Sequence, residues 1–258
     1  MTPTAALSST LQRRFGITRH ALRGLRPLDP TRARFAGPAA TIRYLARRED
    51  QDDAYSPFNP ASPFAAAFEH VPRGAVLVID ARGDDTAGIL GEMLATRLLA
   101  RGCAGVVCDG GMRDVVNLAA VGLPIVHRGP APASSTTSLM LVDHGLPVTC
   151  AGVTIFPGDW IVSDEDGVVV CPAAHWDAAR TEVEEREALE AWVRQRLAAG
   201  EPMTGLYPPT DAVRAEYARW VAAGKPPTPS PATSPSPAVA GEGGVGASQS
   251  ALTHAPPP

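Results

Sequence analysis

The chain has 258 residues, 45% hydrophobic and 19% charged, with a formal net charge of −4. That length suits one ordinary domain with appendages. No apolar run reaches the roughly 18 residues of a membrane span, and the mild acidity argues against a dedicated nucleic-acid binder.

Taken in chain order, residues 1–16 show no apolar leader core, so no secretory signal is expected. Residues 39–45 (AATIRYL) read as a strand. Residues 62–71 read as a short helix with Ser62 at the N-cap and Pro63 at the first helical position. The run 75–80 (AVLVID) reads as a buried strand. In 88–101, Ile89, Leu90, Met93, Leu94 and Leu98 fall at helical spacing up to Gly102, which predicts a helix. Residues 104–108 form another buried strand, 114–121 a short helix closed by Gly122, and 124–127 a strand. Such a β-α-β-α-β order with apolar strands indicates an α/β core. The second half is richer in strands, at 146–151, 153–156, 160–163 and 168–171, with a turn at 164–167. A long helix rich in Glu and Arg follows, from 173 to about 199. From Lys225 the sequence turns to proline, alanine and serine and cannot bury enough apolar surface to fold. The expected organisation is one domain over 1–222 (core about 37–172, C-terminal helices 173–222) and a disordered tail over 223–258.

The basic residues exclude a good deal of chemistry. Of 23 Lys plus Arg, 22 are Arg, and the one lysine is Lys225. Schiff-base aldolases, pyridoxal-phosphate enzymes and Walker-A nucleotidases need a lysine in the folded core, and this chain has none to give. The four cysteines (Cys103, Cys108, Cys150, Cys171) are scattered and suit buried thiols in a reducing compartment, so a cytoplasmic location is expected. The six histidines show no zinc-site spacing. There is no nucleophile-elbow serine and no Cys/His signature.

Two segments carry candidate chemistry. Gly91-Glu92-Met93-Leu94 lies near a helix start, where unpaired amides attract a carboxylate or phosphate; on local sequence alone, an ordinary glycine-rich helix entry is the favoured reading. Asp109-Gly110-Gly111-Met112-Arg113-Asp114 follows a buried strand, where α/β folds gather ligands. There Arg113 could grip a carboxylate or stabilise an enolate, and Asp114 could hold a hydrated divalent ion. The competing reading makes Asp114 a helix N-cap and Arg113 half of a surface ion pair. Asp80 with Asp84 and Asp85 forms a further acidic cluster. The acids between Asp159 and Asp166 read as a solvated hairpin, 134–138 (SSTTS) as a flexible loop, and the charges of 182–190 as a solvated helix face.

Glu92 and, after twenty intervening residues, Arg113-Asp114 resemble the signature of metal-dependent 4-hydroxy-4-methyl-2-oxoglutarate aldolases, a family shared with the RraA regulator of ribonuclease activity. Gly37-Pro38-Ala39, Leu94-Ala95-Thr96, Leu123-Pro124-Ile125, Arg128-Gly129 and Pro157-Gly158-Asp159 are similar too. The likeness spans about residues 7–200. It implies a compact α/β domain of swivelling β/β/α type with a C-terminal helical extension, assembled as trimers or hexamers with sites near subunit interfaces. It further implies Mg²⁺ or Mn²⁺ on Asp114, with Glu92 reaching the metal through water. Arg113 would contact the substrate's oxo or carboxylate oxygens, and the amides of Gly91 to Leu94 would hold the pyruvyl carboxylate. A glutamate of the long helix, Glu187, would enter from a neighbouring subunit.

The implied reaction is retro-aldol cleavage of a 4-hydroxy-2-oxo acid to pyruvate. A metal stands where a lysine is lacking, and a metal-polarised water assisted by Glu92 takes the C4-hydroxyl proton. Oxaloacetate decarboxylation would follow as a side activity. Two departures stand out. Residues 7–16 lack the acidic residue of the family's first helix, and 200–220 extends beyond compact members, which suggests a different substrate, such as a sugar-acid-derived 2-oxo acid. The alternative is a non-enzymatic RraA-type regulator of a ribonuclease complex; such regulators tend to lack the acid found here at Glu92. The expected partners are a small 2-oxo acid and further copies of the chain, with no membrane and no nucleic acid. A methyltransferase is not expected, for want of a glycine-rich cofactor loop.

Overall fold

The computed structural model describes residues 1–225. The proposed tail lies almost wholly outside the described residues. The chain divides into two compact units at Glu190/Ala191, within the long helix Trp176–Ala198.

The first unit is built on a nine-stranded mixed sheet. Its centre is four parallel neighbours in the order Phe35–Ala46, Val76–Asp80, Gly105–Cys108 and Ile125–His127. Val76 to Ile79 and Gly105 to Cys108 are buried without a break, as expected of parallel strands covered on both faces. The period of two then sorts their side chains. Leu77, Ile79, Val106 and Cys108 face one core with Phe68, Leu98 and Leu118 of the covering helices. Val76, Val78 and Val107 face a second core with Val148, Cys150, Val153 and Ile155 of the hairpin Val148–Cys150/Val153–Ile155. The layering is therefore hairpin, sheet, helices: an α/β architecture of the expected kind. At the sheet's other flank, the antiparallel pair Trp160–Asp164 and Gly167–Cys171 carries a third core. There Leu7 and Leu11 of the helix Thr4–Phe15 meet Ala179 and Val183 of the long helix.

A second, four-stranded parallel sheet is the main departure from the sequence reading. Its order is Ala133–Ser134, Ala87–Leu90, Gly111–Met112, Gly129–Pro130. Residues 88–90 were expected to open a helix, but they belong to the buried strand Ala87–Leu90. The helix begins only at Glu92 and runs to Ala100. The apolar residues from Ile89 to Leu98 fit a helical period across the junction, but glycine decides the local geometry. A Cβ at Gly88 would lie 2.6 Å from the Arg113 Cβ, an approach only a glycine strand can make. The structure also shows a strand at Leu139–His144, paired antiparallel with Phe35–Ala46. The stretch read as a flexible loop instead carries the end of the strand Ala133–Ser134 and the tight turn Ser135–Thr137.

The second unit has its own small cluster of Trp192, Tyr217 and Trp220. Arg196 lies over the Trp192 ring and pairs with Glu201 and Glu216. Among the described residues, no helix is long and apolar enough to cross a membrane.

Candidate active site

Two adjacent strands of the small sheet end side by side and place the candidate residues. Ala87–Leu90 runs into Gly91, the N-cap of the nine-residue helix Glu92–Ala100. Gly111–Met112 runs into Arg113 and Asp114. The two turns are tied by the Arg113 N–H, which donates to the Leu90 carbonyl at 3.2 Å.

Gly91 is extended, with φ −123° and ψ −177°, and its side carries no capping group. The first backbone bond of the helix runs from the Ala95 N–H to the Gly91 carbonyl, 3.1 Å. The N–H groups of Glu92, Met93 and Leu94 therefore have no partner within the helix and present partial positive charge at the cavity. Met93 is 74% exposed.

Asp114 occupies the N-cap position of the helix Val115–Val121, yet its side chain makes no capping hydrogen bond. Its backbone is left-handed, φ 54° and ψ 41°, a conformation that costs a non-glycine residue about 1 kcal/mol. Only its carbonyl serves the helix, accepting from the Leu118 N–H at 2.8 Å. The carboxylate instead accepts from Arg113 Nε at 3.1 Å. Both side chains are more than 40% exposed, so this pair contributes ~0–1 kcal/mol to stability. A Cβ at Gly91 would lie 3.3 Å from Asp114 Oδ2 and 3.4 Å from Arg113 Cγ. The missing side chain keeps that space clear above the carboxylate. The capping reading of Asp114 thus fails on geometry.

These turns open on a cavity of about 370 Å³ lined by Gly88, Ile89, Gly91, Glu92, Met93, Leu94, Arg113 and Asp114. Pro57, Phe64, Ser134, Ser135 and Thr136 complete it. The sequence reading brought together Glu92, Arg113, Asp114 and the 91–94 amides, and all share this wall. It missed the apolar pair and the hydroxyls. The one available signal was the run 134–138, whose Ser134 lies in register with Gly88. Glu187 sits half-buried on the long helix and does not line the cavity of its own chain.

Among the described residues, no three His, Cys, Asp or Glu side chains stand close enough to cage an ion. The cavity's acids are Glu92 and Asp114. That donor set fits Mg²⁺, which takes one or two carboxylates and keeps several waters. Of the two, Asp114 would be the better placed to hold an ion, since its carboxylate caps no helix N–H and lies beside the space left by Gly91.

The competing acids are engaged elsewhere. Asp80 accepts from the N–H groups of Arg82 and Thr149, and burial raises its pKa. Asp84 accepts from Thr86 and Ser138. Asp164 holds Thr4 at the start of the first helix. All four cysteines are buried and unpaired. Burial pushes each thiol up, Cys171 to about 12, so none is a nucleophile at neutral pH.

Comparisons with known proteins identify the family. An RraA-like family model, described as Aldolase/RraA, matches residues 4–170. A Halalkalibacterium halodurans protein provisionally named 4-hydroxy-4-methyl-2-oxoglutarate aldolase is 31% identical over 186 residues, 72% of this chain and 80% of the relative. An Alkalilimnicola ehrlichii protein of the same provisional name is 34% identical over 139 residues, 54% of this chain and 78% of the relative. The crystal structure of Streptomyces coelicolor RraAS2, titled an unusual member of the RNase ES inhibitor RraA family, superposes with a TM-score of 0.67 at 32% identity. That match covers 74% of this chain and 90% of the other.

Proposed function

The chain belongs to the RraA-like, or Aldolase/RraA, family, and from that premise we propose that it is a divalent-metal-dependent aldolase. It would cleave a 4-hydroxy-2-oxo acid to pyruvate, with oxaloacetate decarboxylation as a side activity. One observation carries the reading: Asp114 holds a costly left-handed backbone at a helix start and then does not cap the helix. Strain of this kind gathers where a side chain is needed for something other than stability.

Asp114 would hold the ion together with water, and Glu92 would reach it through water. When bound, the ion supplies Lewis acidity at the 2-oxo group. The remaining work falls to the chain. The amides of Glu92, Met93 and Leu94 bind the substrate carboxylate at the positive end of their helix. Arg113 is steadied by its Nε bond to Asp114 and keeps its other N–H groups for the substrate. It places positive charge beside the oxygen on which negative charge grows. As the C3–C4 bond breaks, its electron pair moves onto the three-carbon fragment. Glu92 would take the C4-hydroxyl proton, and C4 leaves as a carbonyl. Protonation at C3 then gives pyruvate. Oxaloacetate needs only the first half of this apparatus: CO₂ departs with the electron pair left on the same fragment.

A second reading, an RraA-type regulator of a ribonuclease complex, has the printed title of the Streptomyces relative in its favour. The retained Glu92 and the uncapped Asp114 favour the enzyme. Pyruvate release from 4-hydroxy-4-methyl-2-oxoglutarate and from oxaloacetate decides between them, measured with Mg²⁺, with EDTA and in Asp114→Ala. Metal-dependent release that Asp114→Ala abolishes supports the aldolase. No release, with RNA-decay enzymes recovered by pull-down, supports the regulator.

A further inference from the structure

A second cavity, of about 420 Å³, lies at the carboxyl edge of the large sheet and shares no lining residue with the first. Four adjacent parallel strands end there. They deliver Arg43, Asp80, Asp109 and Arg128, with Arg43 and Asp80 in direct register. Carboxyl edges of parallel sheets are where α/β folds receive ligands. Arg82, on the turn after Asp80, adds a third guanidinium.

The acids and the arginines differ in what they already hold. Both Asp80 oxygens accept backbone N–H groups, from Arg82 at 3.0 Å and Thr149 at 3.3 Å. Buried Asp109 does the same with Ala81 at 2.7 Å and Ala151 at 3.1 Å. The two carboxylates fasten the surrounding turns, each oxygen accepting one backbone N–H. The arginines are less engaged. Arg43 gives Nη2 to Asp143 at 3.1 Å, and its buried Nε has no partner among the described residues. Arg128 gives only Nε, to the Asp109 carbonyl at 2.9 Å, and its Nη2 lies 3.4 Å from where a Gly83 Cβ would be. Arg82 has no ion pair among the described residues. Its left-handed backbone, φ 61°, is fixed by the Asp80 bond to its N–H.

We propose that this cavity is a binding site for a small oxyanion, a phosphate or a short carboxylate, gripped by Arg82 and Arg128 with Arg43 at its back. The guanidinium fork matches the paired oxygens of either group. With Asp80 and Asp109 held by amides and Arg43 paired with Asp143, Arg82 and Arg128 are the guanidinium groups that no carboxylate pairs among the described residues. The site does not depend on the pyruvate reading of the first cavity.

The test is calorimetric titration of the full chain, in chloride buffer, with inorganic phosphate in one arm and malonate in the other. Saturable binding of either is expected, and the preferred arm identifies the oxyanion. The double variant Arg82→Gln/Arg128→Gln removes both guanidinium forks at two exposed positions and keeps a polar, uncharged side chain; it should melt like wild type and bind at least about tenfold more weakly. Asp114→Ala should bind as wild type does, which separates this cavity from the catalytic one. Failure of both anions to saturate would overturn the proposal, and so would undiminished affinity in the double variant. Loss of binding in Asp114→Ala would assign the anion to the other cavity. An assembly that falls apart in the double variant, while wild type binds no anion, would make the arginines a contact between copies.

Discussion

Gly88 and Gly91 lie three residues apart on one segment, and the same added methyl group should act differently at each. At Gly88 the new Cβ would lie 2.6 Å from the Arg113 Cβ and 2.9 Å from both the Arg113 N and the Ala131 carbonyl oxygen. Those atoms belong to backbone held in the small sheet, so a strand must move. Overpacking of this kind costs ~1–3 kcal/mol, which in a chain of this size lowers the melting temperature by roughly 2–12 °C. At Gly91 the new Cβ would meet Asp114 Oδ2 at 3.3 Å and Arg113 Cγ at 3.4 Å, ends of half-exposed side chains that can yield by a few tenths of an ångström. The backbone there suits alanine. Its smaller unfolded-state entropy, worth ~0.4–1 kcal/mol, opposes its weaker N-capping, so net stability should change by less than ~1 kcal/mol. Activity should not survive as well. A misplacement of ~1 Å costs ~100-fold in rate, and the methyl displaces both Asp114 and Arg113, so about a tenfold loss is expected. Thermal melting and pyruvate release, measured on both variants, separate the two effects. Wild-type activity in Gly91→Ala together with wild-type melting in Gly88→Ala would refute the packing argument.

Other outcomes follow from the same geometry. Arg113→Lys replaces a planar fork with a point charge and should cost roughly 100-fold or more in pyruvate release, with unchanged melting. Asp164→Ala removes the bonds to the Thr4 N–H and hydroxyl, 2.8 and 2.6 Å; ~1–3 kcal/mol should be lost, with faster amide exchange confined to the first helix. Burial holds His127 below its ordinary value of 6.5, while its Nδ1–H donates to the Gly129 carbonyl at 2.9 Å. The unfolded chain therefore binds this proton more readily than the folded one, and stability present above about pH 6.5 is lost as pH falls below it. His127→Gln should flatten that loss in urea titrations compared at about pH 7.5 and about pH 5.5.

The central strands were legible because parallel strands buried on both faces read as unbroken apolar runs, as at Val76 to Ile79 and Gly105 to Cys108. The small sheet was not, because its strands are two to four residues long and rich in glycine. No periodicity develops over such a length, and the helical spacing of Leu94 and Leu98 spreads backward over Gly88 to Leu90. Glu92, Arg113 and Asp114 were singled out by their resemblance to a family signature, and the structure gathers them on one cavity wall. What sets Asp114 apart from a helix cap was not legible, since it lies in a left-handed backbone and in a carboxylate that accepts from Arg113 Nε and caps no helix N–H. Pro57 and Phe64 reach the cavity only through tertiary packing and left no local trace. Ser134 to Thr136 left one, a hydroxyl run beside the site, whose meaning needed the register with Gly88.

The central claim is that the Arg113-Asp114 turn supports carbanion chemistry at C3 of pyruvate. It is tested most directly by exchange of pyruvate's methyl hydrogens for deuterium in D₂O, followed by proton NMR with Mg²⁺, with EDTA, and in Asp114→Asn. Asparagine tolerates the left-handed backbone and, with no cap to lose, should leave the melting temperature unchanged. The account predicts exchange with Mg²⁺, none with EDTA, and a loss of at least about 100-fold in Asp114→Asn. Exchange that persists in folded Asp114→Asn, or that EDTA does not affect, would contradict it.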